Sequence, residues 1–146
     1  EARGLIIGLT RDSRPGHLAR AALEGIALSV ATLVNLAEQA IGHNLRELAV
    51  DGGAAASDPL LQAQADSTGL KVRRPASLES TARGVALLAG VQCGLVSEIH
   101  QLSRSREVGA QLFSPQLDSQ ARKRWLERWD NAVRRSLDWA SEPSSS

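Results

Sequence analysis

The stretch from Glu47 to Pro59, with the sequence ELAVDGGAAASDP, gives the clearest indication of the fold. Its first five residues are a short, mainly apolar run that predicts a strand, and Gly52-Gly53 predicts a turn directly after it. Asp58 and Pro59 are typical of a helix start, with Asp58 as the N-cap and Pro59 at the first helical position. This succession of strand, turn and helix predicts an α/β fold rather than a helical bundle or a β-sandwich.

Upstream of this stretch, the sequence predicts one further strand and one long helix. The run Gly4-Leu5-Ile6-Ile7-Gly8-Leu9 is apolar and bounded by glycine, which is typical of a buried strand. Residues 17–41 predict a helix that ends at Gly42, and Gly25 inside it predicts close packing against a neighbour. Apolar residues recur every three or four positions and predict the buried face of this helix: Leu18, Ala22, Ile26, Val30, Leu33, Ala37 and Ile41.

Downstream of Pro59, the pattern predicts further alternation of helix and strand. The helix that begins near Asp58 is predicted to end at Gly69, and residues 70–74 predict a short strand. Residues 80–94 predict a helix of small side chains that packs closely, whereas residues 96–117 show no regular pattern.

The end of the chain predicts one amphipathic helix over residues 118–139 and a polar tail. The apolar face of this helix is formed by Trp125, Trp129, Ala132, Val133 and Leu137. Its acidic and basic residues are spaced to pair at i,i+4, which favours a solvated face over an RNA-binding stripe. Residues 1–140 are thus predicted to form one domain, and residues 141–146 a disordered tail.

Composition excludes several classes of protein. The chain has 146 residues, a single cysteine and a net charge of +1. One cysteine excludes a disulfide framework and a zinc site built from several thiolates. The near-zero charge gives no electrostatic reason to bind nucleic acid, and the apolar runs are shorter than the ~20 residues of a membrane-spanning helix. The chain begins at Glu1 and contains no methionine, so we expect it to be part of a longer protein.

The turn Asp51-Gly52-Gly53-Ala54 is the best candidate for a site. Glycines let a ligand approach the backbone closely, and the start of the following helix offers N–H groups to an anion. The turn lacks both the Gly-Lys-Ser/Thr of a P-loop and the three-glycine dinucleotide fingerprint. From the residue chemistry alone, a purely structural turn therefore stays the commoner interpretation.

Other candidate residues give weaker indications. His17, His43 and His100 show no metal-ligand spacing, so we expect each of them at a cap, in a loop or at the surface. Cys93 lies on an apolar helix with no basic neighbour, which predicts a buried and unreactive thiol. We therefore predict neither a catalytic residue nor a metal ligand within the chain.

Several segments, in order along the chain, resemble the FGGY family of carbohydrate kinases. Residues 4–9, a seven-residue interval and residues 17–24 (HLARAALE) resemble the second signature of that family. The similarity continues through four further segments, at residues 50–54, 62–66, 72–75 and 79–90. Residues 113–115 (FSP) and 129–133 (WDNAV) resemble the closing segment of the glycerol kinases within the family.

The resemblance implies an actin-like, ribonuclease-H-like α/β domain that forms the C-terminal, nucleotide-binding half of a two-domain kinase. It implies ATP and Mg²⁺ as cofactors and nucleotide contacts at Gly52, Gly53 and Ser57. Ser57 departs from the usual Asn of the family, so one hydrogen bond can be kept while the two-sided contact of an amide is lost. Arg83 stands where the family usually has Leu, and we expect its side chain to extend towards solvent.

The resemblance also implies that the catalytic base and the glycerol-contacting residues lie in an N-terminal domain that this chain lacks. The longer protein is then expected to be a cytoplasmic homo-oligomer that phosphorylates glycerol with ATP, giving sn-glycerol 3-phosphate and ADP. The chain alone is expected to be inactive and to expose an apolar patch where the other domain packs. Two alternatives stay open: another FGGY sugar kinase, of the xylulose or gluconate type, and a non-catalytic nucleotide-binding or interaction module.

Overall fold

Helices and strands alternate along the part of the chain that the computed structural model describes, residues 3–95 and 109–137. The elements follow in the order α1 (Pro15–Ile41), β1 (Glu47–Ala49), a 3-10 turn (Gly53–Ala56), α2 (Asp58–Thr68), β2 (Lys71–Arg74), α3 (Ser80–Gln92), β3 (Gln111–Phe113) and α4 (Ser119–Ser136). The predicted α/β class is confirmed. The predicted tail at residues 141–146 and the last residues of the final helix lie outside the described residues.

The three strands form a mixed sheet in the order β1-β2-β3. β1 pairs parallel with β2, and β2 pairs antiparallel with β3, so that Val72 lies between Leu48 and Phe113. β3 falls in the stretch predicted to be irregular, and that prediction is wrong here. Three residues are too few to show a period, and this strand is defined by pairing with β2, which lies far away in sequence.

The core lies between the sheet and α2. Its buried residues come from the 3-10 turn, α2, β2 and β3: Ala55, Leu61, Ala65, Val72 and Phe113. Burial of such side chains contributes about 1.5–3 kcal/mol each for the larger ones. The core is therefore placed directly beneath the glycine turn and positions it.

Local capping groups fix the ends of α1 and α2. Gly42 and Gly69 both adopt left-handed backbone, with φ of 74°, and donate their N–H groups back to α1 and α2 respectively. The start of α2 is capped by Ser57, whose Oγ accepts from the Leu60 N–H at 3.4 Å. The prediction of Asp58 as N-cap is therefore wrong by one position, since Asp58 is already the first helical residue.

α1 packs against α2 and α4, but through a different face from the one predicted. Its buried residues are Ala27, Leu28, Ala31 and Val34. Small alanines allow close approach, and the Ser67 hydroxyl of α2 lies 3.2 Å from the Ala27 carbonyl, to which it donates. In the predicted stripe, Ile26 and Leu33 are 51% and 65% exposed. α1 is apolar around most of its circumference, so periodicity alone does not select the face that neighbours cover.

Residues 4–9 do not form the predicted strand. A strand needs a neighbour to take up its N–H and C=O groups, and within the described residues none lies beside this segment. Its large side chains are 43–61% exposed: Leu5, Ile6, Ile7 and Leu9. The segment is tied to α4 by a hydrogen bond of 3.1 Å from the Arg3 N–H to the Ser136 carbonyl.

α3 has the predicted position but not the predicted packing. None of its residues is buried, and Val85 and Leu88 are 64% and 62% exposed. Arg83, in the same helix, is half-buried. The exposed side chains of α3, of α1 and of residues 4–9 together give the apolar surface that the sequence led us to expect.

α4 begins at the N-cap Asp118, whose carboxylate accepts from the Gln120 and Ala121 N–H groups at 2.8 Å each. Its predicted apolar face is half-buried, apart from Leu137, which is exposed. The Trp129 indole donates to Thr32 Oγ1 at 3.3 Å, and its ring lies 3.9 Å from where a Cβ on Gly25 would stand. Since 3.9 Å is ordinary van der Waals contact, a Cβ would fit at Gly25, and the predicted close packing at this glycine is not confirmed. Among the described residues of α4, the i,i+4 charge pairs do not form ion pairs.

By length and composition, α1 is long and apolar enough to cross a membrane. An 18-residue window of this helix has a mean hydropathy of 1.4, with 22% of the window buried. The expectation that no segment reaches this threshold is therefore wrong. One such helix is weak evidence for a membrane span, because core helices of globular domains pass the same test.

Candidate functional site

The Gly52-Gly53 turn lies at the carboxyl end of β1, directly before α2. The hydrogen-bond ladder continues past β1, since the Val50 N–H donates to the Arg73 carbonyl at 3.0 Å. The chain then turns at Gly52, whose φ of 79° and ψ of 177° favour glycine. The carboxyl ends of parallel strands are the usual ligand-binding edge of an α/β sheet, so the predicted site stands where such sites form.

Backbone hydrogen bonds hold this turn on both sides. The Gly52 N–H donates to the Leu78 carbonyl at 3.1 Å, and the Gly52 carbonyl accepts from the Ala55 N–H at 3.0 Å. The Ser57 N–H donates to the Ala54 carbonyl at 3.2 Å and closes the turn. These backbone hydrogen bonds therefore fix the conformation of the turn.

Gly52 and Gly53 differ in what they require of the backbone. Gly52 is in the left-handed region of φ, whereas Gly53 begins the 3-10 turn with no such requirement. A Cβ added to Gly53 would meet no described atom within 4 Å, and the residue is exposed. The space in front of Gly53 is thus open to a ligand.

Ser57 lies one turn further on and is half-buried. One lone pair of its hydroxyl accepts the Leu60 N–H as the cap of α2, which leaves its O–H free to donate. The structure therefore brings Gly52, Gly53 and Ser57 together on one short segment.

Arg74, at the end of β2, contacts this segment from beneath. Its Nη1 donates to the Ala55 carbonyl at 2.9 Å and lies 2.8 Å from Asp58 Oδ1. Its Nη2 donates to Gln111 Oε1, and its guanidinium carbon lies 5.3 Å from the centre of the Phe113 ring. Residues 72–75 were singled out in the sequence only through the family resemblance, and no role was assigned to Arg74. The sequence feature that could have pointed to Arg74 is an arginine at the end of a predicted strand.

A small cavity of about 160 Å³ opens beside the turn, at the carboxyl ends of β1 and β2. It is lined by Ala49, Val50, Asp51, Arg73, Pro75 and Ser80. Asp51 is exposed at its edge. Two wider open grooves lie elsewhere: one of about 540 Å³ between α1, α2 and α4, and one of about 360 Å³ between residues 5–8, α1 and α4.

Residues 62–66, another segment of the family resemblance, have a structural role. Asp66 Oδ1 accepts from the Gln116 and Leu117 N–H groups at 2.6 and 3.3 Å, and Gln62 Nε2 donates to the Ser114 carbonyl at 2.9 Å. These bonds fasten the segment between β3 and α4 to α2. The two matching segments, at residues 62–66 and 113–115, are thus linked to each other in space.

The remaining candidate residues behave partly as predicted. His17 is a cap: its Nδ1 accepts from the Arg14 N–H at 3.1 Å, at the start of α1. His43 lies exposed in the loop after α1, and His100 lies outside the described residues. Cys93 is exposed, so its predicted burial is wrong, because α3 is uncovered. Within residues 3–95 and 109–137, no group of three or more metal-ligating side chains could hold an ion.

Comparison with other sequences gives consistent matches. The profile of the C-terminal domain of the FGGY family of carbohydrate kinases matches residues 1–93. Glycerol kinase from Bdellovibrio bacteriovorus is 44% identical over 135 residues, which cover 92% of this chain and 27% of that protein. The chain thus spans about a quarter of the length of the curated relatives that it matches.

Solved structures agree with this match. Glycerol kinase from Plasmodium falciparum with ADP superposes with a TM-score of 0.82 and 29% identity, over 94% of this chain and 27% of that chain. Xylulose kinase from Lactobacillus acidophilus has the same fold, with a TM-score of 0.68 and 21% identity over 95% of this chain and 28% of that one. The predicted actin-like, ribonuclease-H-like fold is therefore confirmed. Because the family profile covers more than half of the sequence, the chain belongs to the FGGY family of carbohydrate kinases.

Proposed function

We propose that this chain is the nucleotide-binding part of a glycerol kinase, which transfers a phosphoryl group from ATP to glycerol and gives sn-glycerol 3-phosphate and ADP. The main observation in support is the open Gly52-Gly53 turn at the carboxyl end of β1, in a chain 44% identical to glycerol kinases. The solved structure of glycerol kinase from Plasmodium falciparum, which has this fold, is a structure with ADP.

The turn has the chemistry to receive a nucleotide. The first N–H groups of a helical segment have no acceptor within it, so the 3-10 turn presents donors at Gly53 and Ala54. No side chain at Gly53 limits how closely a ligand can approach them. Bound ATP would supply the phosphoryl group, and Mg²⁺ would come with the nucleotide, coordinated mainly by phosphate oxygens.

Ser57 adds one side-chain donor to this backbone surface. Its free O–H can reach a nucleotide hydroxyl or ring nitrogen, while its oxygen keeps the cap of α2. An Asn at this position would offer both a donor and an acceptor. We therefore expect Ser57 to contribute less affinity than the usual Asn of the family.

Glycerol is the substrate that the similarities favour. Among the solved structures, glycerol kinase is 29% identical to this chain, whereas the xylulose and gluconate kinases are 21% and 19% identical. Glycerol kinase from Bdellovibrio bacteriovorus reaches 44% identity by sequence comparison. The catalytic base and the glycerol contacts are assigned to an N-terminal domain that pairs with this one. The cytoplasmic location and the homo-oligomeric state stay predictions.

The exposed apolar surface of the described residues supports the need for a covering domain. Large apolar side chains are exposed along residues 4–9, on the outward face of α1 and on α3, among them Ile6, Leu33 and Leu88. Monomeric proteins rarely expose so large an apolar surface, so we expect it to pack against a further domain.

Titration of the isolated chain with MgADP, followed by the backbone amide signals of residues 52–57, tests nucleotide binding. We expect a dissociation constant on the order of 1 mM, because half of the contacts are missing. Gly53→Val should abolish the shifts, since the new side chain fills only the ligand space. Gly84→Val in α3, which is equally open, is the matched control. Equal binding by wild type and Gly53→Val would refute the assignment of the turn.

A coupled assay of glycerol phosphorylation tests whether the catalytic groups lie outside this chain. The chain alone should show no turnover, because phosphoryl transfer needs both reactants positioned together. Turnover by this chain alone would show that the catalytic groups lie within it. A substrate panel on the longer protein, with glycerol preferred over a pentulose, tests the choice of substrate.

A further inference from the structure

The guanidinium group of Arg74 makes several polar contacts close to the glycine turn. The Arg74 side chain is 16% exposed, and it joins three separate parts of the described fold: the 3-10 turn, α2 and β3, where it contacts both Gln111 and the Phe113 ring. None of these side-chain contacts belongs to the backbone hydrogen-bond ladder of β2. The arrangement therefore needs an explanation beyond the sheet itself.

The contact with Ala55 is the one that reaches the site. A short 3-10 turn leaves its last carbonyl groups without partners inside the turn, and the Ala55 carbonyl is such a group. Arg74 satisfies it at 2.9 Å, while the Ala55 N–H holds the Gly52 carbonyl at 3.0 Å. Arg74 is thus connected through one buried residue to the glycine that begins the turn.

The geometry requires an arginine. Nη1 reaches both the Ala55 carbonyl and Asp58, and Nη2 of the same planar group reaches Gln111, its cross-strand partner in β3. A lysine has one compact ammonium and cannot span these acceptors on two sides. The face of the Phe113 ring adds a cation–π contact, which restrains the orientation of the guanidinium group.

We propose that Arg74 is a positioning residue for nucleotide binding: it fixes the backbone of residues 52–57 in the conformation that presents their N–H groups and the Ser57 hydroxyl to the ligand. This inference rests on the proposed function. Arg74 itself lies beneath the turn and acts through Ala55 rather than by touching the ligand. The neighbouring Arg73 offers a natural contrast, because its guanidinium pairs with Glu47 on β1 rather than with a residue of the turn.

The test compares Arg74→Met with Arg73→Met, two adjacent strand arginines that each lose an ion pair. Amide hydrogen exchange at residues 54–57 should be faster in Arg74→Met only. The MgADP dissociation constant, from the same amide-detected titration, should rise about fivefold in Arg74→Met and less than about twofold in Arg73→Met. Equal exchange or equal affinity in the two variants would overturn the proposal.

Arg74→Lys keeps the charge and the stem, and covers the case in which Arg74→Met fails to fold. It should show faster exchange at residues 54–57 and affinity about threefold weaker than wild type, because one ammonium replaces only part of the network. Wild-type exchange and affinity in Arg74→Lys would also overturn the proposal. If the wild-type chain binds no MgADP, the proposed nucleotide-binding function is wrong. The comparison of amide exchange rates between the two variants still decides whether Arg74 fixes the conformation of the turn.

Discussion

Two regions of this chain have similar apolar residues and opposite surroundings. In the closed region, formed by the 3-10 turn, α2, β2 and β3, Leu61 and Val72 are 1% and 0% exposed. In the open region, formed by residues 4–9, the outer face of α1 and α3, side chains of the same type are mostly more than 40% exposed. The difference lies in the neighbours that each region has, not in its composition.

This contrast separates what the chain stabilises by itself from what it offers to another surface. Monomeric proteins rarely leave so many large apolar side chains in contact with water. The closed region contains the turn and the arginine beneath it, so the proposed nucleotide site belongs to the part that is complete. The open region is the part that we assign to contact with the other kinase domain.

The strongest test of the contrast is to truncate one leucine in each region. Leu61→Ala should lower the free energy of unfolding by about 2–5 kcal/mol, because it leaves a cavity in the core. Leu88→Ala on α3 should change it by less than about 0.5 kcal/mol, since that side chain has little packing to lose. Urea unfolding of the isolated chain measures both, and similar losses would remove the distinction between the regions.

A pair of glycines gives a second test, with effects of opposite sign. Gly69→Ala should destabilise the chain by about 1–2 kcal/mol, because its φ of 74° is unfavourable for a residue with a Cβ, while the Arg122 guanidinium, 2.6 Å from the new Cβ, can move aside. Gly84→Ala, inside α3 and open on all described sides, should stabilise by up to about 1 kcal/mol. Thermal denaturation of the two variants checks the signs, and destabilisation by Gly84→Ala would reveal a hidden neighbour of α3.

The exposed face of α1 gives a third test, on association rather than unfolding. The isolated chain should associate as its concentration rises, because apolar surface is buried between copies. Leu33→Gln, at the most exposed large apolar residue of α1, should reduce association and change the free energy of unfolding by less than about 0.5 kcal/mol. Sedimentation velocity over a concentration series measures this. If association is unchanged, the surface through which the copies associate lies elsewhere in the open region.

The smallest expected effect concerns the pH dependence contributed by the cap of α4. The Ala121 N–H, followed by the Gln120 N–H and nearby arginines, lowers the pKa of the Asp118 carboxyl below its ordinary value of 3.8. A carboxyl whose pKa is lower in the folded state adds stability above pH 3.8, and this stability disappears as the pH falls through the folded-state pKa. Asp118→Asn keeps a capping side chain but should remove this acid-dependent part.

Unfolding of wild type and Asp118→Asn, followed between pH 6 and pH 2.5, provides the measurement. The stability difference between the two should shrink or reverse in the acid range. A constant difference across that range would mean that the cap does not depend on the charge of Asp118.

Much of the fold could be predicted because local signals are short-ranged. The α1 helix and its Gly42 end, the α2 helix and its Gly69 end, and the strand before Pro75 were all predicted near their observed bounds. The nucleotide contacts expected at Gly52, Gly53 and Ser57 stay a prediction, which the titration with MgADP tests. The cap of α2 was placed one residue late, because Ser57 and Asp58 are both good capping residues.

The predictions that failed depend on partners distant in sequence. Residues 4–9 have the composition of a strand, but within residues 3–95 and 109–137 no strand lies beside them, and β3 forms only because β2 lies next to it. Cys93 was expected to be buried, yet α3 is uncovered. No rule based on neighbouring residues could supply this information.

The sequence alone determined which segments are helical, where glycines end α1 and α2, and to which family the chain is similar. These properties depend on backbone preferences and hydrogen bonds within a few residues. The tertiary structure alone decided which face of α1 is buried and that Arg74 reaches across from β2 to Ala55. Burial and side-chain bridging depend on which elements meet in space, and the described residues supply neighbours for only one of the two regions.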